Sequence, residues 1–457
     1  MKQLKKPRDS TTKLDKKMEY QINYASSVGL YKPSFFQMKV DTIFSLKKLT
    51  DLSDEVLSVY LHEYVHYLQD ISTTFGLMNA SWVVEYMKYS AEKIRKNYEE
   101  KFPVPLPIVK EDYHKVYENN LIMNVYAGTN IRLTELVITE IEREIFNVSI
   151  DGVNKPLPKV KIHFKDSYGS STSFFFGATC VIESMAFLIE TNCCGELFGA
   201  STIPYKSAQA VAEFGYPEFS ASALNIIALC DASLFAFHPG DFFVSCLRDM
   251  QKKNWLPKEP EEVYDYANTF SKTFLNVAYD GANDLEQLYE QFSKNAVKEL
   301  QGYFTIDLFN DTKKWIEIIV DSAFKIRKEN PYIFLELATS GNPRNNKVFT
   351  KLIRELGTPL VLNSNGEGTF YHPKENEYNF YPYALAAVSE VFSMLTTRRS
   401  SCSLYGFCKE SSLLQNIPDY TDERCRISPW KKVTDDPLCP YGQIWKMWDL
   451  AERTPDL

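Results

Sequence analysis

Between residues 52 and 68 the apolar positions are Leu52, Val56, Leu57, Val59, Tyr60, Leu61, Tyr64, Val65 and Leu68. They cover most of a helical surface, so the pattern predicts a buried helix. Ser53 is a suitable N-cap, Asp54 and Glu55 suit the first turn, and no proline or glycine interrupts residues 53–72. Gly76 stands just past the expected end. A second apolar run, residues 177–198, predicts another buried helix. It carries Glu183 and Glu190 seven positions apart, two turns of helix, so both project from nearly the same face. Ala186 between them leaves room for a neighbouring helix.

The remaining pattern is α+β and rich in helix. Residues 38–46 read as a strand before the first buried helix. Residues 80–99 and 117–145 read as helices, separated by Pro103, Pro105 and Pro107. Residues 158–176 alternate as strands do, with a turn at Gly169-Ser170-Ser171. Helices follow near 205–214, 218–230 and 240–253. Pro257-Lys258-Glu259-Pro260 is the strongest internal boundary signal. Beyond it come amphipathic helices near 260–277, 283–301 and 310–328, a hairpin from Val361 to Phe370, and a helix near 383–397. The expected organisation is a basic arm (1–18), a catalytic region (19–256), a helical region (257–400) and a loop-rich, cysteine-containing tail (401–457).

The first helix carries His62-Glu63-Tyr64-Val65-His66. Positions i and i+4 of a helix lie about 40° apart and about 6 Å along the axis, so both imidazoles can reach one zinc ion. Glu63 flanks the same face, where it could take a proton from a zinc-activated water. Two histidines and a glutamate on a buried helix are costly without partners. The chain holds only 6 histidines, which makes this spacing by accident improbable. The alternative is a pair of ordinary core or surface histidines.

The run from Val59 to Leu68 resembles the extended signature of zincin metallopeptidases, with uncharged residues around the histidines. The resemblance implies His62 and His66 as ligands and Glu63 as general base. It also implies a sheet beside the zinc helix, whose edge strand holds an extended peptide by backbone pairing. Metzincins continue with a glycine and a third histidine, but here those positions hold Gln69 and Ser72. Aspzincins use an aspartate after Gly-Thr, and Gly128-Thr129-Asn130-Ile131 has none. In gluzincins the third ligand is a glutamate on a second helix. Glu183 in Glu-Ser-Met-Ala resembles that form and is the implied ligand, with Glu190 the alternative. Some gluzincins have an aspartate four residues later, where this chain has Phe187. Support for His62 then falls to another group, such as Glu190. Asp70 is too far along the helix to share the ion, and reads either as an acceptor that orients His66 or as a solvated charge.

His163 in an alternating stretch, His238 before Pro239-Gly240-Asp241, and His372 beside Pro373 are candidates for stabilising an oxyanion, as is one of the 28 tyrosines. Each histidine reads first as a satisfied core or surface residue. Of nine cysteines, Cys180, Cys193, Cys194, Cys230 and Cys246 fall in apolar stretches. Cys402, Cys408, Cys425 and Cys439 stand apart in the tail. They are candidates for a second, structural zinc, although no C-x-x-C occurs; packed thiols are the alternative.

With 44% hydrophobic and 24% charged residues, the 457-residue chain has an ordinary globular balance. A net charge of −8 gives no reason to expect a nucleic-acid partner. No apolar run is long enough to cross a bilayer. The basic residues 1–18 (Lys2, Lys5, Lys6, Arg8, Lys13, Lys16 and Lys17) are followed by no apolar segment of a secretory signal, so a cytoplasmic location is expected. The combined expectation is a zinc metallopeptidase acting on a peptide or protein. The alternatives are a zinc enzyme for non-peptide amides or esters, or a non-catalytic interaction protein in which zinc ties two helices together. Oligomeric state is not legible.

Overall fold

Ser53 has extended backbone, and its hydroxyl accepts from Val56 N at 3.4 Å, opening the helix Asp54–Ser72, here the motif helix. The computed structural model describes residues 24–25, 29–107, 114–150, 153–197, 199–275, 282–303, 309–373, 382–415 and 419–457. The expected basic arm, 1–18, lies outside them. The motif helix ends at Thr73, whose hydroxyl donates to Gln69 O at 2.7 Å and accepts from Gly76 N at 3.1 Å. Thr73 thus caps both this helix and the next, Thr74–Asn97. Gly76 lies just past the end of the motif helix, as expected, but Thr73 and not the glycine makes the cap. Gly76 sits in the first turn of the second helix, where a Cβ would lie 2.5 Å from the Asp70 backbone, so its role is close approach.

The first sheet has the order Tyr24–Ala25, Gly29–Lys32, Gln37–Val40, Leu360–Leu362, Gly368–Thr369. All neighbours are antiparallel except Gln37–Val40 with Leu360–Leu362, which run parallel. Tyr31, Met38 and Val40 are buried, and their strands pack on the motif helix. The strand expected over 38–46 is therefore shorter and lies inside the sheet, with both edges already paired. It cannot hold a peptide by edge pairing. Leu360–Leu362 and Gly368–Thr369 form the hairpin expected around residues 361–370.

The helix expected over 117–145 is instead the helix His114–Ala127 followed by the strand Leu136–Ile150. Gly128, at φ +77°, ends the helix where a Cβ would stand 2.5 Å from Phe175 O. The strand's β-branched residues then pair with Val153–Asp166, which also pairs with Ser171–Phe176. The second apolar run forms the helix Ala178–Cys194, here the glutamate helix, closed by Gly195 at φ +76°. It packs on the motif helix and on Ala223–Ser233.

In the second half, Glu262–Leu275, Leu285–Tyr303 and Asn310–Glu329 match the expected helices. Two more, Ile333–Thr339 and Lys347–Leu356, were not anticipated. The tail is less loop-rich than its prolines suggested. It contains helices Tyr405–Gln415, Arg424–Ile427 and Pro440–Met447 and a 3-10 helix Pro429–Thr434, and two of its prolines, Pro429 and Pro440, open helices rather than break them. Its last strand, Thr454–Asp456, pairs with Lys101–Pro103. The fold is α+β and helix-rich. Among the described residues no helix is long and apolar enough to cross a membrane.

Candidate metal centre

The four-residue spacing of the motif helix puts His62 Nε2 and His66 Nε2 3.1 Å apart. Across the helix–helix contact, Glu183 Oε2 lies 3.3 Å from His62 Nε2 and 3.4 Å from His66 Nε2. All three residues are buried. Four-coordinate zinc with bonds of about 2.0–2.1 Å separates its ligand atoms by about 3.3 Å. Two imidazole nitrogens and one carboxylate oxygen at these separations form a group that could hold a metal ion. Among the described residues it is the one group of three or more such ligand atoms that already stand within 4.8 Å of one another.

The other side of each ring is also held. His62 Nδ1 lies 2.9 Å from Glu190 Oε2, and Ser58 donates its hydroxyl to Glu190 Oε1. His66 Nδ1 lies 2.8 Å from Gln69 Oε1, while Gln69 Nε2 donates to Ile182 O at 3.1 Å. One amide therefore connects a histidine of the motif helix to the backbone immediately before Glu183. In the sequence Gln69 stands out only as the residue where metzincins have glycine. Its i+3 position relative to His66 was the signal available.

Asp70 does not orient His66. Gln69 does that, and Asp70 accepts from Tyr31 Oη at 2.8 Å on the sheet side. Burial pushes Asp70 up to about 7, against the hydrogen bonds from Tyr31 and the Ser34 backbone.

Burial disfavours a proton on His62, but hydrogen bonds and charge from Glu183 and Glu190 outweigh it and hold the ring well above its ordinary value. His66 is shifted down by burial. Burial opposes ionisation of Glu183, yet the two imidazoles bring it down to about 2. The pocket thus favours an anionic carboxylate facing a cation, whether a proton on His62 or a metal ion.

Glu63 is buried on the same helix. Gly29 lies against it: a Cβ at Gly29 would stand 2.8 Å from Glu63 Cγ and Cδ. Tyr205 is a second residue that the sequence did not single out. Its ring centroid lies 5.9 Å from that of His62. Burial and the charges of Glu183, Glu63 and Glu190 push its hydroxyl well above its ordinary value.

His163 and His238 are committed elsewhere. His163 Nε2 lies 3.0 Å from Glu142 Oε2 on the three-stranded sheet. His238 caps the helix Pro239–Lys252: its Nδ1 accepts from Asp241 N at 3.3 Å and its Nε2 donates to Pro158 O at 2.8 Å. With both ring nitrogens engaged, His238 has no donor for an oxyanion. His372 packs its ring 4.9 Å from Phe370.

Cys402, Cys408, Cys425 and Cys439 line one small cavity, and all four are free thiols. Burial, aided by Cys439 and Cys425, pushes Cys408 up to about 12. Two larger cavities, about 230 Å³ beside Tyr264, Tyr289 and Arg327 and about 290 Å³ beside Lys39, Asn363 and Arg399, are not lined by any of His62, His66 and Glu183.

Comparison of the chain with protein-family models, curated proteins and solved structures returns no match.

Proposed function

We propose that this chain is a zinc-dependent hydrolase of zincin type, using Glu183 in the manner of a gluzincin. The observation that carries the reading is the meeting of His62 Nε2, His66 Nε2 and Glu183 Oε2 within 3.4 Å of one another. Glu63 stands next to His62 on the same helix. Zinc held by these three residues would polarise a substrate carbonyl and bring the pKa of a water toward neutrality. Glu63 accepts the proton of the attacking water and returns it to the leaving group. Glu190 and Gln69 hold the two rings so that each presents Nε2 to the centre. Tyr205 stands beside the centre as the donor for a developing oxyanion, a role for which the tyrosines, His163, His238 and His372 were all candidates.

Peptide-bond hydrolysis is the first assignment. A second, hydrolysis of a non-peptide amide or ester, is favoured by one observation: the strand nearest the expected peptide-binding position, Gln37–Val40, is paired on both sides. The metal does not itself select the substrate. A purely structural zinc is disfavoured by Glu63, because a closed structural site needs no base.

The test is metal analysis and turnover of the 457-residue chain. Near-stoichiometric zinc, lost in His62→Ala, is expected. Glu63→Gln keeps the metal and loses hydrolysis, on a peptide library or on a panel of small amides and esters. Absence of zinc from the unaltered protein, or full activity of Glu63→Gln, overturns the reading.

A further inference from the structure

The cysteines of the tail arrive from four separate segments. Cys402 follows the helix Pro382–Thr397, Cys408 lies in Tyr405–Gln415, Cys425 lies in Arg424–Ile427, and Cys439 is the N-cap of Pro440–Met447. They are separated by 6, 17 and 14 positions in sequence, so only the fold collects them. They surround one cavity of about 20 Å³. That is room for about one water-sized sphere. An ordinary apolar core has no cause to gather four sulfurs about one small space.

Three further features point to a cation. The thiols are unpaired, so the cluster is not a pair of disulfides. Two sulfurs already accept from backbone N–H groups: Cys439 from Gly442 N at 3.4 Å, and Cys402 from Leu404 N. Such bonds suit a sulfur carrying negative charge. Lys432, almost fully buried, also borders the cavity, with its ammonium 2.8 Å from Asp422 and 2.7 Å from Asp435. Already paired with two carboxylates, it brings no net positive charge, but it lies close enough to Cys408 and Cys439 to favour their ionised forms.

We propose that Cys402, Cys408, Cys425 and Cys439 form a second metal site, a tetrathiolate centre for a zinc-like divalent cation that ties together the four segments of the tail. No three of these sulfurs lie within 4.8 Å of one another. In a zinc tetrathiolate with bonds of about 2.3 Å they are about 3.8 Å apart. Binding therefore draws them inward over the cavity, and each thiol releases its proton to solvent as it ligates. The role is structural, because four protein ligands leave no position for water.

The proposal is independent of the hydrolytic centre, and the experiment separates them. The 457-residue chain carrying His62→Ala and His66→Ala is equilibrated with zinc, freed of excess, and analysed for metal. About one zinc per chain is expected there and about two in the unaltered protein. Adding Cys408→Ser and Cys439→Ser removes the remaining equivalent. Cobalt(II) loaded into the unaltered protein gives an independent readout that needs no cysteine variant: thiolate-to-cobalt charge-transfer absorption in the near ultraviolet. Absence of retained zinc from the double-histidine variant together with absence of that absorption overturns the proposal. So does a disulfide among the four cysteines, found by mass spectrometry of the non-reduced protein.

Discussion

Glu190 Oε2 lies 2.9 Å from His62 Nδ1, on the opposite side of the ring from Glu183. A carboxylate there holds the proton on Nδ1 and leaves the Nε2 lone pair facing the centre. Glu190→Gln keeps the shape but removes the charge. Metal affinity, measured by competition with a chromophoric chelator, should weaken about 10–100-fold. Unchanged affinity would show that the His62 ring is oriented without the Glu190 charge.

The motif helix was legible because its signals are local: a cap at Ser53, an apolar surface and two histidines one turn apart. The glutamate helix was legible for the same reason, as was the pair of carboxylates on one of its faces. What failed depended on partners distant in sequence. The strand Leu136–Ile150 read as helix because its charged residues hide the alternation, and only pairing with Val153–Asp166 decides the matter. Gln37–Val40 could not be recognised as an interior strand, since its partner Leu360–Leu362 lies more than three hundred residues away. Tyr205 was one tyrosine among 28 until the fold set it beside His62.

Gln69 should matter twice. Its Oε1 fixes His66, and its Nε2 satisfies Ile182 O across the helix contact. Gln69→Ala removes the acceptor of His66 Nδ1 and the cross-helix bond to Ile182 O, a carbonyl that keeps its own place in the helix ladder. Denaturant unfolding of the metal-free protein should show a loss of about 1–3 kcal/mol. The same variant should bind zinc at least about tenfold more weakly. A variant that loses stability but binds zinc normally would confine Gln69 to helix packing.

Asp70 gives stability a pH dependence of definite sign. Burial raises its pKa from 3.8 to about 7 in the folded chain. The folded state therefore holds a proton that the unfolded state releases between those values. The stabilising contribution is complete below about pH 4 and is lost as pH rises through about 7. Integrated over that window it is about 4 kcal/mol. Asp70→Asn removes the titration, so the variant should gain on the unaltered protein as pH rises from 5 to 8 in parallel denaturation series. A constant difference across that range would mean that Asp70 remains ionised in the fold.

Gly29 sets the position of Glu63. A methyl group at Gly29 would stand within 3.0 Å of the Glu63 side chain, which must then swing aside. Gly29→Ala should therefore reduce kcat by at least about tenfold, because a misplaced base loses most of the general-base contribution. Zinc content should be unchanged, since the nearest atoms to the new group all belong to Glu63 and not to a ligand. Loss of zinc in this variant would point to a wider rearrangement of the motif helix and would separate Gly29 from the base.

Tyr205 offers the sharpest division between binding and chemistry. Its ring faces the edge of His62, and its hydroxyl responds to the charges of Glu183, Glu63 and Glu190. Burial, and then those carboxylates, keep it protonated, which is the state that can donate to an oxyanion. Tyr205→Phe preserves the ring against His62 and Phe187 while removing only that donor. Loss of one oxyanion donor costs about 10²–10³ in kcat. Zinc affinity and KM should stay near their original values, because the group acts on charge that develops only as water attacks. An unchanged kcat would reduce Tyr205 to a wall of the site, whereas a raised KM at constant kcat would make it a substrate contact.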